Sequence, residues 1–221
     1  MTTITHPRFA VRRSSAKAGS WWGRAWVRGV EEAAYSDGDL KRGRQLARAG
    51  SVGAISVGPG RVVAAVVERD DAWTVTVSVP QLDDAGREAF VEVVAAEAGR
   101  IAALVAGDLP HTLVEHAEEA GVELLPYGAE LACECNCDHW TPPCPHAIAV
   151  LSQFAWLLDE DPFVLLGLRG LPRDELLAAL HDLGGAGAQS PESETEADLD
   201  SAADAVRRAR ALLLELGEGA S

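Results

Sequence analysis

All four cysteines of this 221-residue chain fall within twelve positions: Cys133, Cys135, Cys137 and Cys144. His139 lies among them and His146 follows two residues after the last. Thiolate sulfur and imidazole nitrogen are the donors that zinc takes in tetrahedral, fully coordinated sites. The donors pair naturally as C-x-C at Cys135 and Cys137, six intervening residues, then C-x-H at Cys144 and His146. Two residues at i and i+2 on extended chain point to the same side, so both sulfurs of the first pair can reach one centre. Cys133 makes a second, overlapping C-x-C with Cys135, and His139 is a further potential donor.

Other thiol chemistry fits less well. A disulfide between cysteines two apart is strained. A catalytic Cys–His pair from Cys144 and His146 has no recognisable third group to orient it. An iron–sulfur cluster takes four thiolates at other spacings. Zinc is the expected metal, one ion per chain, and with four protein ligands it is structural rather than catalytic.

The elements around the cluster are legible from periodicity. The stretch before it, VELLPYGAELACEC, reads as extended chain. After it, HAIAVLSQFAWLLDEDP is helical, with Ile148, Leu151, Phe154, Ala155 and Leu158 on one side. Pro145 suits the first helical turn, and helix N-terminal N–H groups favour a thiolate at Cys144. Two short helices follow, punctuated by Pro162 and Pro172.

Upstream, Trp22, Trp26, Val30 and Ala33 share one helix face and are expected in the core. The stretch SDGDLKRGRQLARAG reads as a second helix, with Asp39 as its cap and Gly50 as its stop. Three strands follow: SVGAISVG, RVVAAVVER and AWTVTVSVP, the first two joined through Pro59-Gly60. A long helix from Asp83 or Asp84 to about residue 106 carries Phe90, Val94, Ile101 and Leu104 inward; Glu97 falls on that same stripe.

The fold class is therefore α+β: N-terminal helices, a three-stranded antiparallel sheet and a long helix, then a small finger and short helices. The expected divisions are a flexible N-terminus over 1–20, an α+β domain over 21–125, the finger and following helices over 126–182, and an acidic linker with a C-terminal helix over 183–221.

CNCDHWTPPCPHAIAVL resembles a SWIM-type zinc finger, whose pattern is C-x-C, a short spacer, then C-x-H running into an apolar helix. Trp140 keeps the aromatic of bacterial spacers, and Asp138-His139 stands where Pro-Asp is common. DEDPFVLLGLRG downstream, and WWGRAW and DLKRGRQLARAGSV upstream, are similar to the surroundings of the finger in bacterial members. The resemblance implies Cys135, Cys137, Cys144 and His146 as ligands. It implies contact with protein or DNA, and a Snf-type helicase as partner.

Charge bears on that choice. The net charge is −15, yet residues 1–62 hold eleven Lys or Arg against four Asp or Glu. Lys41, Arg42, Arg44 and Arg48 form the strongest basic patch and are the candidate nucleic-acid contacts. The finger itself has no Lys or Arg between Leu131 and Leu158, which favours a protein partner there. No G-x-S-x-G or phosphate-binding glycine loop is present, so no enzyme is expected. No secretory signal and no apolar run of spanning length occur, so the expected compartment is the cytosol, with no membrane contact.

Overall fold

The computed structural model describes residues 3–12 and 18–187. It is an α+β architecture with one antiparallel five-stranded sheet in the order β1-β2-β3-β4-β5. The strands are β1 (Ile4–His6), β2 (Val52–Gly58), β3 (Arg61–Glu68), β4 (Asp71–Ser78) and β5 (Ala132–Cys135). The helices are α1 (Trp21–Ala33), α2 (Asp37–Arg48), α3 (Asp84–Ala95), α4 (Ala98–Val105), α5 (His111–Glu119), α6 (Pro145–Glu160), α7 (Phe163–Leu168) and α8 (Arg173–Gly187). The chain divides into two compact units, Met1–Leu177 and Ala178–Ser221; in the second, the described residues are the last part of α8. The boundary expected at 125/126 thus falls inside the first unit. The expected tail helix beyond residue 187 lies outside the described residues, as do residues 13–17.

The three strands expected from the sequence form the middle of the sheet. Val62, Ala64 and Val66 of β3 and Val75 and Val77 of β4 are buried, while their neighbours face outward. Two short edge strands complete it. β1 comes from the segment expected to be flexible: Ile4 pairs with Val57 and His6 with Ile55. β5 comes from the cysteine segment and pairs with β4, Cys135 opposite Val75 and Cys133 opposite Val77. β5 lies within the stretch read as extended chain, whereas a strand of three residues such as β1 carries too little alternation to announce itself.

α6 is the centre of the core. From His146 to Leu158 every residue but Ser152 is buried, and the helix touches α1, α2 and four of the strands. The tryptophans of α1 are core residues with their polar ends satisfied: Trp22 Nε1 donates to the Leu158 carbonyl at 2.7 Å and Trp26 Nε1 to the Leu151 carbonyl at 3.1 Å. α2 crosses close to the start of α6 because position 43 is glycine. A Cβ there would stand 2.5 Å from Ile148 and 2.9 Å from the Pro145 carbonyl.

Two local expectations change. α2 is capped by the Ser36 hydroxyl, which accepts from Asp39 N, rather than by Asp39. The expected long helix is two helices, α3 and α4, broken at Ala96–Glu97 where the backbone of Glu97 is extended. Continuing the helix would have driven the Glu97 carboxylate into the apolar stripe; the break instead sets it against Arg100.

Candidate metal centre

β5 ends at Cys135, where Asn136 continues the edge pairing by side chain and backbone: Thr74 N donates to Asn136 Oδ1 at 2.7 Å and Asn136 N to the Thr74 carbonyl. The chain then bends, so Cys137 does not lie on extended strand as the C-x-C argument assumed. The loop returns through Pro142 and Pro143 to Cys144, the N-cap of α6, whose sulfur accepts from Ala147 N at 3.4 Å. His146 projects from the first turn and is buried.

These elements bring the ligand atoms of Cys135, Cys137, Cys144 and His146 within 4.8 Å of one another. Cys135 Sγ and His146 Nδ1 are 3.8 Å apart. A tetrahedral zinc with ordinary bond lengths requires about 3.8 Å between sulfurs and about 3.6 Å between sulfur and nitrogen. The cluster can therefore hold a metal ion, and three thiols with one imidazole suit zinc.

The other two donors go elsewhere. Cys133 faces the same side of β5 as Cys135, but two residues of strand advance the chain by about 6.7 Å. Its thiol donates to the Leu131 carbonyl at 3.5 Å. The bend after Cys135 lets Cys137 reach the centre that the straight strand denies Cys133. His139 is engaged on both ring nitrogens: Nε2 lies 3.3 Å from Asp39 Oδ1, and Nδ1 accepts from Thr141 N at 3.3 Å.

Burial favours the neutral forms of Cys135, Cys144 and His146. Burial pushes the Cys135 thiol up to about 12 and raises that of Cys144 too; burial likewise brings Cys133 to about 12. His146 is lowered below the ordinary imidazole value by burial first, then by Arg42 and His139. A metal must displace thiol protons but meets an imidazole already deprotonated at neutral pH.

Two partners of His146 escape sequence reasoning. Glu68 Oε2 lies 3.1 Å from His146 Nε2, so Nε2–H donates to the carboxylate and Nδ1 presents its lone pair to the sulfurs. Trp73 stacks on the imidazole, with centroids 5.6 Å apart and planes at 25°. A signal for Glu68 did exist: the β3 alternation puts it on the core face with Val62, Ala64 and Val66, where an acid needs a partner.

The four candidate nucleic-acid residues all lie on α2 but do not act alike. Arg42 forms an ion pair with Glu68, and Arg44 with Glu31. Arg42 thereby extends the chain of contacts from the cluster through His146 and Glu68 to α2. Lys41 is exposed and Arg48 half-buried.

The chain is 31% identical over 167 residues to the uncharacterized protein Rv2102 of Mycobacterium tuberculosis, a match covering 75% of this chain and 60% of that protein. The chain thus spans well under two thirds of that relative's length. No protein-family model and no solved structure match it. Among the described residues, no helix is long and apolar enough to cross a membrane.

Proposed function

We propose that this chain is a SWIM-type zinc protein in which one structural zinc ion, held by Cys135, Cys137, Cys144 and His146, organises a surface for binding another protein. The observation that carries the reading is the convergence of those four donors within 4.8 Å. Four protein ligands saturate a tetrahedral ion, so it has no open position for water or substrate, and the centre is structural rather than enzymatic. It fastens the edge strand β5 to the start of α6, with Glu68 and Arg42 orienting His146. The SWIM resemblance supplies the kind of partner, a Snf-type helicase in the cytosol.

Direct nucleic-acid binding through α2 ranks second. Two of its four cations are neutralised by Glu68 and Glu31, and the finger contributes Glu134 and Asp138 without a single Lys or Arg. Such a face repels phosphate.

Metal analysis of the purified chain tests the centre: one zinc per chain is expected, lost in Cys144→Ser. Iron in place of zinc, or no metal, refutes it. The partner is tested by co-purification with the helicase at raised salt. Retention that is lost in Cys144→Ser and survives Lys41→Glu with Arg48→Glu supports protein contact. Salt-sensitive retention on DNA that those two charge reversals abolish supports the second reading.

A further inference from the structure

The loop between the two ligand pairs presents an aromatic side chain that the fold does not use. Trp140 is 80% exposed, the most exposed of the large apolar side chains among the described residues, and Tyr35, between α1 and α2, is 66% exposed. They meet edge to face at 5.6 Å. An indole left in water gives up most of the burial energy available to it, about 25 cal/mol for each Å² of apolar surface. The loop carrying it is nevertheless well tethered. Its ends are the ligands Cys137 and Cys144, and its middle is fixed by His139 against Asp39 and Thr141.

The exposed charges next to this aromatic pair along the chain are acidic. Asp138 is two residues from Trp140, and Asp37 is two residues from Tyr35; both are exposed. Lys41, one turn along α2 from Asp37, is the nearby basic group in sequence. Exposed aromatic faces beside carboxylates suit a guanidinium, which stacks on the ring while its N–H groups reach the acids. The same carboxylates disfavour a nucleic-acid strand, although its bases could stack on Trp140.

We infer that Trp140 and Tyr35, flanked by Asp138 and Asp37, form a docking surface for an arginine-bearing segment of a protein partner. The inference rests on the zinc reading, because the ligands on either side of the loop set the position of Trp140. It gives the metal centre a purpose beyond stability: the ion holds the loop that displays the indole.

The test uses the full zinc-loaded chain and a fluorescent twelve-residue peptide with four arginines spaced by serines. Controls are its four-lysine counterpart and a single-stranded oligonucleotide. Fluorescence anisotropy should show binding of the arginine peptide that weakens at least fivefold in Trp140→Ala and in Asp138→Asn. The lysine peptide should bind more weakly. Trp140→Ala removes an exposed side chain, and its circular dichroism and zinc content should match the parent. Equal binding of the arginine peptide to parent and Trp140→Ala overturns the inference, as does tighter Trp140-dependent binding of the oligonucleotide. Metal content measured on the same samples separates the two claims. Zinc present without Trp140-dependent binding sinks the docking surface alone. Trp140-dependent peptide binding by a chain that takes up no zinc upholds the surface and sinks the metal centre.

Discussion

The two ends of α6 are held by different physics. At its C-terminal end the Leu158 carbonyl accepts from Trp22, and the Asp159 carboxylate accepts from the backbone N–H groups of Gly19 and Ser20 at 2.8 and 3.1 Å. Phe9 packs edge-on against Trp156. These are ordinary packing and hydrogen-bond contacts between α6 and the N-terminal part of the chain, complete without any ligand. At its N-terminal end the helix starts at two polar donors, Cys144 and His146, facing an edge strand of four residues that contributes Cys135. Without a metal, that end keeps its close packing against Gly43 of α2, while its link to β5 relies on a short strand pairing and on neutral thiols. One helix thus carries a self-sufficient anchor and a conditional one.

Removing the metal should expose this difference most sharply. Structural zinc contributes on the order of 10–16 kcal/mol of apparent binding energy in small finger peptides. Chelation, or Cys144→Ser, is expected to speed amide exchange in β5, in the 137–143 loop and in the first turn of α6. Amides near Leu157 and Leu158 should keep their protection. Uniform loss of protection along α6 would show that the two ends are not independent. Trp26→Ala should act on the opposite side of the comparison. It empties a fully buried site against Phe154, their rings 4.7 Å apart, and should cost about 3–5 kcal/mol in denaturant unfolding, with zinc still bound by the folded fraction.

The conditional end should also respond to pH. The thiols of Cys135 and Cys144 keep their protons well above neutrality in the metal-free protein, so each must lose one when zinc binds. Release of a proton from each of these two thiols alone makes affinity fall at least about 100-fold for each unit of decreasing pH, a slope readable by chelator competition between pH 8 and 7. His146 adds to this slope only below its lowered value, because above it the ring is already neutral. A pH-independent affinity would contradict the assignment of thiols as ligands.

Smaller effects should resolve the supporting contacts. Glu68→Gln should weaken zinc binding by about 10–100-fold while moving the unfolding midpoint of the metal-free chain little, since Glu68 sits at the end of β3 and acts through His146. Equal zinc affinity in that variant would remove Glu68 from the centre. Asp159→Ala should cost about 1 kcal/mol of stability and leave zinc affinity unchanged, because its partners are all at the far end of the helix.

Much of this molecule is local and therefore legible. The alternation of β2, β3 and β4, the tryptophan stripe of α1 and the apolar run of α6 each express a period that burial imposes on a single element. The donor types and their spacing likewise announce a metal site. The short strand β1 was hidden because three residues cannot display a period; β5 read as extended chain, and only pairing with β4 gives it a place in the sheet. The break at Glu97 had a visible cause, an acid on an apolar stripe, without a visible outcome.

The amino-acid order by itself determined that three thiols and an imidazole, with a cysteine and a histidine to spare, would sit between an extended segment and a buried helix. The SWIM resemblance names the four, and tertiary structure supplies the physical reason that these four converge. A straight β5 carries Cys133 past the centre, the bend after Cys135 turns Cys137 into it, and Asp39 holds His139 aside. It also turned Arg42 toward Glu68 and Glu68 toward His146, across gaps of 26 and 78 residues. Coordination and ion pairing act over a few ångströms in space, a range that spacing along the chain expresses only where both partners belong to one local element.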